Sequence, residues 1–275
     1  MIVTAEMFNP PIQLLVSVRS REEAQVVKKT IKQAIKNSDQ RSSILGIVDV
    51  KEPFAGALGM ATVDCLNDIS NVVGSDWAKS FAVGELNQWL ERGATVSNPV
   101  RLSSELNAKL VTEYQYVKVG LSNISNSKYR ENWPVQWREF FEGIPDETNP
   151  VVVAYFDFEY CGSPPPDELI EFASSETRCE TILFDTFSKK QNLFEIHAPQ
   201  TINRWIEKSK SLGLRTVLAG SVDSSCLDLA MQMAPDLIGV RGAICGGSRE
   251  SELDPDKLDE ILKRMEQFSQ RVHPN

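Results

Sequence analysis

Two carboxylate–lysine pairs sit where apolar residues dominate. Asp49 and Lys51 end the run ILGIVDVK, Asp185 and Lys189 end TILFDTFSK, and Lys118 interrupts YQYVKV. A lysine in such a setting can be a nucleophile. Its amine is ordinarily protonated at neutral pH, but partial burial and neighbouring cations lower its pKa and free the lone pair. The free amine attacks a carbonyl carbon, water leaves, and the protonated imine withdraws electrons from the adjacent carbon. That carbon loses a proton and becomes an enamine nucleophile, while carboxylates such as Asp49 and Asp185 move the protons. Taken one at a time, each of these residues also fits a solvated or salt-bridged strand end. As a set they argue for function, because charge placed among apolar strands is costly unless it is paired or used.

Such residues need a scaffold that gathers strand ends. Eight short apolar runs have the character of strands buried on both faces: Ile12–Val18, Ile44–Val50, Ser80–Glu85, Tyr114–Val119, Val151–Phe156, Thr181–Asp185, Thr216–Ala219 and Leu237–Arg241. Helical patterns lie between them. Arg21–Asn37 places Ala24, Val27, Ile31 and Ile35 on one face. Pro199–Leu212 does the same with Ile202, Trp205, Ile206 and Ser209 and stops at Gly213, and Asp254–Gln270 opens on an Asp-Pro cap. Leu86–Leu110, with Gly93 and Pro99, reads as a broken helix, and Ser122–Pro150 as one helix plus a loop. Eight alternations predict an α/β fold, a single (β/α)8 barrel over residues 1–275. An open doubly wound sheet is the alternative.

In such a barrel the site lies at the C-terminal strand ends. Lys51, Lys118, Asp185 and Arg241 belong to even-numbered strands, which share an inward layer, so these side chains can meet. The third strand ends in Gly84-Glu85, and Asp157 and Glu159 follow the fifth. After the seventh and eighth strands come Gly220-Ser221 and Arg241-Gly242, the usual place for a phosphate held by backbone N–H groups and a cation; Gly246-Gly247 extends that cradle. The alternatives are simple turns and, for Arg241, an ion pair with Asp49 or Asp185. Cys245 has no histidine near it in sequence and reads as a packed thiol. Trp133 and Trp137 read as packing residues.

Composition removes other classes. A net charge of −9, from 38 acidic and 29 basic residues, argues against nucleic acid as a partner. No run is long and apolar enough to predict a membrane helix, and the first residues do not resemble a signal peptide. Five scattered cysteines give neither a metal-ligand spacing nor a disulfide framework, so a cytoplasmic setting is expected. With only His197 and His273, a histidine-rich metal centre is not expected. No metal or other cofactor is expected, because an imine supplies the electron sink a metal would otherwise provide. A homo-oligomer is compatible with the sequence.

The segments LLVSVRSREEA (Leu14–Ala24), IVDVKEPFAGALG (Ile47–Gly59), YVKVGL (Tyr116–Leu121), LFDTFSK (Leu183–Lys189), LAGS (Leu218–Ser221) and IGVRGAICGGSR (Ile238–Arg249) together carry a resemblance. The chain resembles the (5-formylfuran-3-yl)methyl phosphate synthases of methanofuran biosynthesis, also called 4-(hydroxymethyl)-2-furancarboxaldehyde-phosphate synthases. The resemblance implies a lyase-type enzyme of one-carbon metabolism that condenses two molecules of glyceraldehyde 3-phosphate. It implies that Lys51 forms the imine beside Asp49, that Lys118, Asp185 and Lys189 are the other catalytic residues, and that Ser221 and Arg241 lie near substrate phosphate. The chain departs from the family pattern at Glu52-Pro53-Phe54-Ala55-Gly56, where Asn-Pro-Lys-Glu-Gly is usual. It departs again at Glu85, where an aspartate is common, and around Asp157–Tyr160. Other readings of the same residues are a different class I triose- or sugar-phosphate aldolase or isomerase, and a non-catalytic barrel subunit.

Overall fold

Each apolar run becomes a strand because side chains alternate across it and both faces find cover. The structure, a computed structural model, describes residues 11–37, 44–92 and 101–272. The strands are β1 (Gln13–Val18), β2 (Leu45–Val50), β3 (Ala78–Glu85), β4 (Tyr116–Gly120), β5 (Asn149–Tyr155), β6 (Thr181–Asp185), β7 (Arg215–Leu218) and β8 (Leu237–Val240). All neighbours are parallel, and β8 returns to β1, so the sheet closes into an eight-stranded barrel in chain order. This is the (β/α)8 barrel the sequence predicts, not an open sheet.

Alternation splits the core in two. Leu15, Ile47, Ala82, Val153, Leu183 and Val217 fill the lumen. The residues between them, such as Val16, Val48, Phe81, Val152 and Phe184, pack outward in the cluster that also contains the helices. The helices are α1 (Arg21–Asn37), α2 (Val63–Val73), α3 (Leu86–Glu91), α4 (Leu102–Glu105), α5 (Ala108–Thr112), α6 (Trp133–Phe140), α7 (Phe158–Cys161), α8 (Pro166–Ser175), α9 (Leu193–Ile196), α10 (Pro199–Ser211), α11 (Leu227–Gln232) and α12 (Pro255–Val272). In α10 the buried residues are Ile202, Trp205, Ile206 and Ser209, the face the spacing predicts. Each large apolar member contributes roughly 1.5–3 kcal/mol by leaving water. The Ser209 hydroxyl is satisfied within the helix by the Trp205 carbonyl at 2.8 Å. Asp254 caps α12, its Oδ1 accepting from the Asp256 N–H at 2.9 Å.

The stretch read as one broken helix holds α3, α4 and α5; Gly93 and Pro99 lie outside the described residues, as does His273. Trp133 and Trp137 are buried. Among the described residues no helix is long and apolar enough to cross a membrane.

Candidate active site

Register decides how Asp49 is held. Ser17, Asp49 and Ser80 are direct partners across β1, β2 and β3. Period-2 alternation therefore turns all three side chains into the lumen together. Ser17 Oγ donates to Asp49 Oδ2 at 2.9 Å, and Ser80 Oγ donates to Oδ1 at 2.6 Å. Lys118 reaches across from β4 and forms a buried ion pair with Oδ1. Burial alone would raise the Asp49 pKa. The charges of Lys118 and Lys51, together with the hydrogen bonds from Lys118 and Ser80, outweigh it and hold the carboxyl below its usual range. With both oxygens occupied, Asp49 is a fixed negative charge.

Asp185, at the end of β6, is engaged on one oxygen. Its Oδ1 accepts from the Thr186 N–H at 2.8 Å and pairs with Lys189; among the described residues Oδ2 has no donor. Burial would raise this carboxyl too, but Lys189 and Lys51 lower it further. Lys189 adopts a positive φ of 57°, uncommon for a side-chain-bearing residue. Its loop is held by Asp157, whose two oxygens accept from the Phe187 and Ser188 N–H groups at 2.7 and 2.8 Å.

Lys51 lies between these two pairs and differs from both other lysines. It is 8% exposed, and among the described residues its amine has neither an ion-pair nor a hydrogen-bond partner. Burial is the largest influence and lowers its pKa. Asp185 and Asp49 pull it back up, Lys189 and Lys118 push it down, and the result is about 7. At neutral pH about half of the amine is free, against roughly one part in three thousand for an ordinary lysine.

These groups open onto one cavity of about 350 Å³, lined by Asp49, Lys51, Lys118, Asp185 and Lys189 and also by Gly220, Ser221, Gly242 and Gly247. Gly220 has φ +100°, and an added Cβ there would crowd Phe156 and Leu193. Ser221 follows at φ +56°, a conformation that persists only where surrounding structure enforces it. Gly246 is not among the lining residues; its N–H bonds the Glu252 carbonyl at 3.0 Å.

Arg241 also lines the cavity, but all five of its N–H groups are engaged. Nε donates to Arg249 O at 2.8 Å, and Nη1 to Ser17 O at 3.1 Å and to Glu23. Nη2 donates to Glu23 Oε1 at 3.0 Å and to Ser251 O at 3.1 Å. The expectation that Arg241 is the cation that holds phosphate is corrected, since no donor remains. Its ion-pair partner is Glu23 of α1 rather than Asp49 or Asp185.

A further buried carboxylate lies at the end of β3, the strand next to β2. Glu85 accepts from the Tyr155 hydroxyl at 2.7 Å and from the Ser122 N–H at 2.9 Å. Burial pushes its pKa up, and these hydrogen bonds and Lys189 only partly oppose that. Among the described residues no three His, Cys, Asp or Glu side chains are grouped to hold a metal ion.

The 4-HFC-P synthase family profile matches residues 14–262. The chain belongs to the 4-HFC-P synthase family. It is 25% identical over 252 residues to the (5-formylfuran-3-yl)methyl phosphate synthase of Methanosarcina acetivorans, covering 91% of this chain and 98% of that one. Against the enzyme of the same name from Methanocaldococcus jannaschii it is 26% identical over 224 residues, covering 80% and 90%. Among solved structures, 3-hexulose-6-phosphate synthase from Salmonella typhimurium superposes with a TM-score of 0.55 at 11% identity, covering 92% of this chain and all (100%) of that one. Phosphoribosyl anthranilate isomerase from Thermus thermophilus gives 0.53 at 11%, covering 94% and 100%. These last two likenesses concern the fold alone. The curated relatives support a synthase role.

In this 4-HFC-P synthase family member, sequence reasoning named the two aspartates and three lysines of the cavity but missed what holds them. Ser17 and Ser80 were visible as lone hydroxyls at inward positions of apolar strands. Asp157 was noticed without a role. Glu23 carried no signal, because an acidic residue in the first turn of an amphipathic helix looks solvated. Cys245 is the packed thiol expected. It is fully buried, and its Sγ contacts the Arg241 carbonyl at 3.1 Å.

Proposed function

We propose that the chain condenses two molecules of glyceraldehyde 3-phosphate to (5-formylfuran-3-yl)methyl phosphate through an imine on Lys51, releasing inorganic phosphate and two waters. The observation that carries this reading is the state of the three lysines. Lys118 and Lys189 are tied to carboxylates, whereas Lys51 has an amine unpaired among the described residues, with a pKa of about 7. The Lys51 nitrogen attacks the aldehyde carbon of one substrate. The carbonyl oxygen leaves as water, and a C=N bond to the lysine forms. Asp185 is suited to take the proton from the adjacent carbon, having one oxygen without a donor and the strongest charge interaction with Lys51. Lys189, bonded to Asp185, is placed to return protons to departing oxygens. Asp49, with both oxygens held, steadies positive charge at the imine rather than moving protons. The resulting enamine carbon attacks the second aldehyde. Ring closure, loss of one phosphate and two dehydrations follow, and hydrolysis from Lys51 takes back the water released on imine formation, which completes the balance.

Borohydride reduction in the presence of glyceraldehyde 3-phosphate should add mass to the peptide containing Lys51. The trapping rate should climb about tenfold per pH unit below 7 and level off above it, as the amine loses its proton. Label on Lys118 or Lys189 instead would overturn the assignment. The ultraviolet band of a conjugated furan aldehyde in the product separates this reaction from that of another triose-phosphate aldolase.

A further inference from the structure

The loop after β8 carries a second arginine that the first one holds in place. Residues 245–253 form a tight hairpin: Cys245 and Leu253 make an antiparallel bridge, Gly246 N donates to Glu252 O at 3.0 Å, and Ser251 N donates to Ser248 O at 3.0 Å. Arg241 grips this hairpin at two carbonyls, those of Arg249 and Ser251. Arg249 itself lines the cavity. Its guanidinium makes one hydrogen bond, from Nη2 to Gly56 O at 3.1 Å, and among the described residues it has no carboxylate within ion-pair distance. Gly56 lies just past Lys51, in the loop leaving β2. The Arg249 charge is also close enough to act on Asp185 and Lys189. A half-buried guanidinium with free N–H groups, lining the same cavity as the backbone turn at Gly220-Ser221 and the Lys51 amine, has the features of an anion hook.

We propose that Arg249 grips the phosphate monoester of the aldehyde bound at Lys51, and that Arg241 is a positioning residue that fixes the hairpin bearing it. This rests on the imine reading for the identity of the aldehyde, but not for the binding of phosphate. Two features separate Arg249 from Arg241: the one has donors to give and borders the cavity from a loop, while the other has none left and is sealed against Glu23. The bond to Gly56 gives the hook a second consequence. Phosphate binding draws on the same guanidinium that ties the loops of β8 and β2, so closing on the anion fixes the loop that follows the reactive lysine.

The test uses the full chain and glycerol 3-phosphate, a non-reactive phosphate monoester, as probe. Calorimetric affinity should fall about ten- to a hundredfold in Arg249→Gln, the loss of a charge-assisted hydrogen bond, and Arg249→Lys should recover part of it. In borohydride trapping, the preference for glyceraldehyde 3-phosphate over unphosphorylated glyceraldehyde should shrink by a similar factor in Arg249→Gln. Unchanged glycerol 3-phosphate affinity in a folded Arg249→Gln protein overturns the proposal. So does a drop in melting temperature with no change in affinity, which would mark Arg249 as a loop tie only. If the parent chain forms no imine with either aldehyde yet Arg249→Gln loses affinity for glycerol 3-phosphate, the imine reading fails and the anion hook stands.

Discussion

Asp49 and Glu85 are both buried carboxylates at the mouth of one barrel, on adjacent strands, and they behave in opposite ways. Asp49 is fully buried and held below the usual carboxylate range; Glu85 is 6% exposed and pushed above it. Burial does not distinguish them, since it raises both. The difference is the company. Asp49 has Lys118 in direct contact and Lys51 nearby, whereas the partners of Glu85 are a phenol and a backbone N–H, with Lys189 acting only from a distance. Neutral donors do not repay the desolvation of a charge as a touching ammonium does. The barrel mouth is thus divided into a charged half, where lysines and aspartates set one another's protonation, and a half that favours a neutral acid. The charged half is the one suited to imine chemistry.

The comparison breaks most visibly if Asp49 is made to resemble Glu85. In Lys118→Met the aspartate keeps its burial and loses its contact cation. Stability should fall by about 3–5 kcal/mol, the cost of leaving a buried charge without its partner. Replacing both members with apolar residues should recover much of it. Chemical denaturation of Lys118→Met and of the double variant checks this; a loss under about 1 kcal/mol in Lys118→Met would mean that the two serines suffice.

Crowding the neutral half is expected to cost less. Gly120 is the register partner of Glu85, and an added Cβ would fall well inside contact distance of Glu85 Oε2 and the Tyr155 hydroxyl. Gly120→Ala should therefore cost about 1–3 kcal/mol through overpacking. Its near-ultraviolet circular dichroism should report the displaced Tyr155. A fully stable variant with an unaltered spectrum would show that the pair has room to give.

The smallest effect is in the dependence of stability on pH. A raised folded-state pKa means that the folded chain holds a proton the unfolded chain releases. The Glu85 contribution is therefore complete below about pH 4.5 and is lost as pH climbs through the raised value. Asp49 and Asp185 run the other way: their contribution is present above about pH 3.8 and is lost as pH falls through their lowered values. Glu85→Gln should remove only the decline on the neutral side. Parallel stability profiles for the parent and Glu85→Gln above pH 4.5 would contradict the division.

The charged half was legible in the sequence because it consists of exceptions. Lys118 in YQYVKV and Asp185 in TILFD stand out where a doubly buried strand should be apolar. Strand order then brings them together without any knowledge of side-chain geometry. The neutral half was not legible. Glu85 was seen as a strand-end charge, but its partner Tyr155 looks like any lumen aromatic, and the gap at Gly120 shows only once register is known. Arg241 was misjudged for a related reason. Its position predicts a phosphate ligand, and nothing in the local sequence announces a carboxylate 218 residues away. Helix α2 was also missed in the sequence, although Thr62 caps it by accepting from the Cys65 N–H at 3.2 Å.

The Arg241–Glu23 clasp sits where the sheet closes on itself, between β8 and β1. It joins the first helix of the chain to the end of the last strand, and through the Ser17 carbonyl it reaches the first strand as well. A chain emerging from the ribosome exposes Glu23 early and must wait for residue 241 before that carboxylate finds its guanidinium. Every lysine and aspartate of the cavity has by then been synthesised, Lys189 included. The fasteners of the seam come last, so a nascent chain carries the Lys51 amine well before it has the wall that shapes a pocket around it.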